Sequence, residues 1–99
     1  MKKNILIPAI IQQYQTRQVL MLGYMNQDAL QKTVATGWVW LWSRKRKKLW
    51  WKGEKSGNKL RIKKIFMDCD KDTLLIQADL IGKYVCHKGL RTCFTIFNK

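Results

Sequence analysis

The chain is 99 residues long, 46% hydrophobic, and carries a formal charge of +14 from 20 Lys and Arg against 6 Asp and Glu. That length holds one domain with one core, and the hydrophobic share excludes a disordered chain. No run reaches the roughly 20 apolar residues of a membrane span, and the basic start Met1-Lys2-Lys3-Asn4 leads into a short segment broken by Pro8, so a cytoplasmic protein without signal peptide is expected.

Residues 5–11 read as a first strand, Gln15-Thr16-Arg17-Gln18 as a polar turn and residues 19–24 as the returning strand of a hairpin. Asn26 suits a helix N-cap, and Asp28 stands in the first turn, where a carboxylate favours the helix dipole. Ala29, Leu30, Thr33 and Val34 recur at helical spacing and Gly37 supplies the stop, which predicts a helix of about ten residues. Trp38, Trp40 and Trp42 then alternate with Val39 and Leu41, a strand with one aromatic face. The basic run 44–48 turns the chain into another strand at 49–51, and Gly53-Glu54-Lys55-Ser56-Gly57-Asn58 reads as a loop. Residues 60–67 are strand-like, but Ile62 and Ile65 fall on opposite faces, so a bulge is expected. Residues 73–81 form a last apolar strand ended by Gly82, and the tail from Cys86 to Phe94 is irregular. The fold class is α+β: a small, β-dominated single domain, residues 1–99, with one main helix.

Three of the six acidic residues crowd into Asp68-Cys69-Asp70-Lys71-Asp72. Adjacent carboxylates repel unless a positive charge sits among them, and a hard divalent cation such as Mg²⁺ takes carboxylate oxygens. In a flat strand Asp68 and Asp72 would start about 13 Å apart, too far for one ion, which places the run in a turn or strand end. The blander alternative is a polar turn between strands. An EF-hand loop opens in the same way, but its sixth position is Thr73 where glycine is needed, and no helical pattern flanks it.

Three cysteines, Cys69, Cys86 and Cys93, cannot all pair within one chain. Three thiolates suit zinc and leave a fourth position for water, although no C-x₂-C pair is present. Small buried hydrophobes are the alternative use for them. His87, the only histidine, adjoins Cys86, and an imidazole there suits proton transfer in hydrolysis. Ser43, Arg44, Lys52, Ser56 and Asn58 lie in or near the basic turn and the glycine-bearing loop, where donors gather round an anion.

The net charge attracts polyanions of any kind. Five tryptophans bracketing Arg44-Lys45-Arg46-Lys47-Lys48 suit a single-stranded nucleic-acid module as the alternative function, with core and interface packing as the plainer use of the rings. Such a module leaves the acidic run unexplained, because carboxylates repel phosphate. A purely structural zinc site is a third reading.

Taken in order, Leu6-Ile7-Pro8-Ala9, Val19-Leu20-Met21-Leu22, Tyr24-Met25-Asn26, Trp42-Ser43-Arg44, Leu49-Trp50, Lys52-Gly53-Glu54, Ser56-Gly57-Asn58, Asp68-Cys69-Asp70-Lys71-Asp72, Cys86-His87 and Cys93-Phe94 make the chain resemble the phosphoribosyl-AMP cyclohydrolase family of histidine biosynthesis. The resemblance implies hydrolysis of an adenine ring between N1 and C6 in a doubly phosphorylated nucleotide. It implies magnesium at Asp68, Asp70 and Asp72 and zinc at Cys69, Cys86 and Cys93. It also implies an intertwined homodimer whose active sites lie at the interface and share zinc ligands. Gln13, Trp51, Lys55 and Thr92 depart from the family pattern, and none is a proposed metal ligand. The pyrophosphohydrolase domain fused to some members is expected to be absent.

Overall fold

Burial alternates with a period of two along β1 (Ile7–Gln13), so that Ile7, Ala9, Ile11 and Gln13 share the core face of the computed structural model, which describes residues 5–98. The basic start, Met1 to Asn4, lies outside the described residues. β1 pairs antiparallel with β2 (Val19–Met25) on one side and parallel with β6 (Leu74–Ile81) on the other. β5 (Lys59–Met67) completes a four-stranded sheet in the order β2-β1-β6-β5. The first strand runs two residues later than its apolar pattern predicts, because its glutamines are satisfied inside the sheet. Gln77 Nε2 donates to Gln12 Oε1 at 3.0 Å. Gln13 Oε1 accepts from Leu80 N at 3.1 Å, while its Nε2 donates to Asp79. Buried amides with partners carry little of the usual desolvation cost.

The polar turn after β1 contains Arg17 at φ 68°, and the hairpin returns as the sequence predicts. α1 (Gln27–Thr36) begins where Asn26 Oδ1 accepts the Ala29 N–H at 2.8 Å and ends at Gly37 in the left-handed region. Its inward stripe is narrower than the spacing suggests: Ala29 and Thr33 are buried, Leu30 packs against the core, but Val34 is 66% exposed. Thr33 is tolerated inside because its hydroxyl donates to Ala29 O and accepts the Trp40 N–H.

β3 (Trp40–Ser43) and β4 (Lys48–Trp51) form a separate two-stranded sheet. Trp38 does not extend β3 as its alternation predicts; it makes an isolated bridge to Arg61 of β5. The expected bulge in β5 is present as a register shift between Ile62 and Lys64, after which both Ile62 and Ile65 pack against the core. Gly23 brings β2 against β3, since a Cβ there would stand 2.8 Å from a Leu41 methyl. Ile11, Leu20, Met25, Leu41, Leu60, Leu74 and Ile76 fill the space between the sheets and the helix with almost no exposure. Among the described residues no regular element follows Ile81, and no helix is long and apolar enough to cross a membrane.

Candidate metal and substrate site

The acidic run is the turn between β5 and β6. Asp68 N donates to Thr73 O at 2.9 Å and Lys71 N to Asp68 O at 2.8 Å, with Lys71 at φ 60°. Asp70 N also donates to Asp68 Oδ2. This curl brings one ligand atom each from Asp68, Cys69 and Asp70 within 4.8 Å of one another, all exposed. Asp72 stands outside that group and accepts from the Thr73 hydroxyl. The run is thus curled at a strand end, as the reach of a single ion requires. A shallow cavity of about 440 Å³, lined by Ile10, Phe66, Met67 and Leu75, opens beside Asp68 and Cys69.

Cys86 and Cys93 come together elsewhere. The tail folds back on itself: Val85 N and Cys86 N donate to Leu90 O, and Gly89 N donates to Cys86 O. It is then pinned to β2, where Cys93 N donates to Leu20 O at 2.7 Å and the Thr92 hydroxyl donates to Val19 O at 2.7 Å. Thr92 thereby keeps the hydroxyl of the serine it replaces, and that departure costs the anchor nothing. The two thiols are near enough for Cys86 to act on the Cys93 thiol. Cys86 is buried and Cys93 exposed. Partial desolvation nevertheless pushes the Cys93 thiol up, and Cys86 adds to this through its charge and hydrogen bond, while Lys52 pulls the other way. Lys52 itself is buried, and its ammonium is pushed down by that burial against the opposing pull of Cys93 and Cys86. His87 is exposed on the turn next to Cys86.

The three thiols do not converge within one chain. Among the described residues, Asp68, Cys69 and Asp70 are the only group of three or more such donors at metal-binding separation. Cys69 follows β5 at one edge of the sheet, whereas Cys93 hangs on β2 at the other. The two also lie toward opposite ends of the strands, since Leu74 pairs with the start of β1 and Val19 with its end.

A cleft of about 550 Å³ is lined by Gly23, Tyr24, Leu41, Ser43, Arg44 and Trp50 among others. The Arg44 guanidinium lies 4.0 Å over the Tyr24 ring, and Ser43 Oγ accepts the Arg46 N–H. Trp50 links this cleft to the thiol pair, because the Lys52 ammonium lies over its ring at 5.4 Å. Tyr24 and Trp50 are not among the site residues that the sequence suggests; an aromatic residue beside the basic run was a signal for Trp50, and nothing local marks Tyr24. Ser56 is exposed and its Oγ accepts the Asn58 N–H. Asn58 is buried, and its side-chain carbonyl accepts the Lys83 N–H at 2.8 Å, so this amide ties the loop to the end of β6. Gly53, at φ 88°, allows that closure, since any Cβ would collide with the Asn58 carbonyl.

Trp42 also lines the cleft, whereas Trp38, Trp40 and Trp51 pack on one another and on cations. Trp40 and Trp51 stack at 5.9 Å, Trp38 tilts against Trp51, and Lys32, Lys59 and Arg61 lie over their faces. Ring faces engaged in this way are poorly placed to stack on bases.

A family model described as phosphoribosyl-AMP cyclohydrolase matches residues 21–95, a span that holds both donor groups and the cleft. A Solibacter usitatus protein named phosphoribosyl-AMP cyclohydrolase is 50% identical over 93 residues, which are 94% of this chain and 74% of that protein. One of the same name from Pelotomaculum thermopropionicum is 53% identical over 89 residues, 90% of this chain and 68% of that protein. The histidine biosynthesis bifunctional protein HisIE of Bacteroides thetaiotaomicron is 58% identical over 93 residues, 94% of this chain but 45% of its own length. With the family pattern running from β2 through the cysteine-bearing tail, the chain belongs to the phosphoribosyl-AMP cyclohydrolase family of enzymes.

Proposed function

We propose that this chain, residues 1–99 acting as one domain in the cytoplasm, hydrolyses the adenine ring of 1-(5-phosphoribosyl)-AMP at the N1–C6 bond as a step of histidine biosynthesis. The observation that carries the reading is the pair of neighbouring thiols, Cys86 and Cys93, sharing the Lys52–Trp50 wall with a cleft that holds Ser43 and Arg44. The donor chemistry fits two kinds of metal. Thiols suit zinc, and the exposed carboxylates of the β5–β6 turn suit magnesium. Cys86 and Cys93 of one copy with Cys69 of a second copy would hold zinc. Asp68, Asp70 and Asp72 would hold magnesium. Zinc held by thiolates supplies water of lowered pKa for attack near neutral pH.

In this reading the chain's own residues orient the substrate and manage protons. Arg44, Ser43 and Ser56 receive the phosphates, and the buried Asn58 shapes the loop that carries Ser56. Water adds its oxygen to C6, the C6–N1 bond breaks, and His87 carries the released proton to N1. The working unit is a homodimer, because the third thiol lies at the far corner of its own sheet. The engaged faces of Trp38, Trp40 and Trp51 support this reading over a single-stranded nucleic-acid module.

The test is ultraviolet-monitored turnover of phosphoribosyl-AMP with metal content measured on the same sample. Cys93→Ser is expected to lose zinc and turnover together. Full activity in a zinc-free Cys93→Ser protein would sink the assignment.

A further inference from the structure

Among the described residues, Lys52 is the one buried side chain that ends in an amine. It sits immediately after β4, and its Nζ donates to Val85 O at 2.7 Å, a bond that is itself buried and spans 33 residues. Desolvating an ammonium is expensive, so a fold keeps one inside where its hydrogen bond does something that a neutral side chain does not. The acceptor tells what that is. Val85 O and Cys86 N belong to one peptide plane, and a peptide is rigid about its C–N bond. Lys52 holds the oxygen end of this plane, and Leu90 O accepts from the nitrogen end at 3.0 Å. With both ends fixed, the plane cannot rotate, and the place from which Cys86 extends its thiol is held. The remaining hydrogen bonds of residues 85–90 run inside the tail loop, so Lys52 supplies the one that ties this loop to the body of the domain.

We infer that Lys52 is a positioning residue whose ammonium clamps the Val85 carbonyl and so holds Cys86 against Cys93 for metal binding, instead of serving as a phosphate ligand. This rests on the metal reading above. A cation whose Nζ is already engaged by a backbone carbonyl, and whose side chain is only 8% exposed, has little left to offer a substrate phosphate. Metal sites commonly depend on such supporting bonds, whose loss weakens affinity by about 10- to 100-fold.

The test compares the wild-type protein with Lys52→Met, which keeps an unbranched apolar stem and removes the donor. Two readouts are needed besides turnover: Co²⁺ affinity, followed by the thiolate-to-cobalt absorption, and amide hydrogen exchange of the metal-free protein. The expected result is Co²⁺ affinity weakened by about 10-fold or more, with faster exchange confined to residues 84–91. Unchanged Co²⁺ affinity and unchanged tail exchange with a raised KM would overturn the proposal and return Lys52 to the substrate. Exchange that quickens across β1 and β6 as well would also overturn it, in favour of general packing. Should Lys52→Met fail to fold, Lys52→Gln, polar but one bond shorter, is read by the same criteria. A wild-type protein without cobalt–thiolate absorption would overturn the metal reading instead, and the local exchange change then decides the clamp by itself.

Discussion

Two inactive chains should make one active enzyme. Cys69→Ser and Cys93→Ser each remove one thiol from every site of a homodimer, so each alone is expected to be devoid of zinc and turnover. The structure sets how unlike the two positions are. From the β5–β6 turn to β2 is two to three strand spacings, on the order of 10 to 14 Å, and the offset from Ala9 to Gln12 along β1 adds about 10 Å. Two thiolates on one zinc lie no more than about 4.6 Å apart, given bonds of about 2.3 Å. Cys69 and Cys93 of one chain are therefore too far apart to hold one ion. In a heterodimer one site loses two ligands, while the other combines Cys69 of the Cys93→Ser chain with Cys86 and Cys93 of the Cys69→Ser chain. If subunits reassort at random, about half of the dimers are mixed and about a quarter of all sites are whole. The assay is turnover and zinc content after unfolding, mixing and refolding the two variants at equal concentration. Recovery near that fraction is expected in both quantities. No recovery in heterodimers verified by mass would refute the argument, as would either variant holding zinc by itself.

Arg44→Ala removes a cation from the cleft and should raise KM by about tenfold or more while lowering kcat less; the reverse pattern in steady-state kinetics would put Arg44 in the chemistry. Capture of the phosphorylated substrate should slow as salt is raised, because the +14 field is screened beyond about 10 Å at 0.1 M. Thr92→Val deletes the hydroxyl that anchors the tail to Val19 O and should cost about 1 kcal/mol in denaturant unfolding, whereas Thr92→Ser should cost little; equal losses would show that the methyl matters instead. Asn26→Ala removes the acceptor for the Ala29 N–H and should cost about 1 to 2 kcal/mol by the same measurement, with most of it recovered in Asn26→Asp.

Local chemistry was legible in the sequence wherever a short segment decides its own geometry. The Asn26 and Gly37 caps, the hairpin after β1, the bulge beyond Ile62 and the curled acidic turn all follow from neighbours within a few residues. Readings failed where a distant partner decides. Gln12 and Gln13 look like the end of a strand until Gln77, Asp79 and Leu80 arrive to satisfy them. Trp38 looks like part of β3 until Arg61 claims it. Val34 has the right spacing to be buried, but the stripe that faces the core is only Ala29, Leu30 and Thr33 wide. The same limit applies to the site. Spacing and composition name thiols and carboxylates, yet nothing local says that Cys86 lies near Cys93, that Asp72 stands apart from Asp68 and Asp70, or that Lys52 Nζ and Asn58 Oδ1 bond the backbone.

The parallel pairing of β1 with β6 decides the order in which this chain can fold. Ala9 lies against Leu74, and the side chains of Gln12 and Gln77 meet across 65 residues of sequence. The β1–β2 and β5–β6 hairpins are local and can form early, but the second edge of β1 stays unpaired until β6 docks beside it. On the ribosome α1 and β3 can cover the first hairpin as they emerge, yet that edge must wait until β6 has followed. Closing a loop of that length before any of its contacts are gained makes the step slow, and the exposed strand edges are then open to pairing between nascent chains.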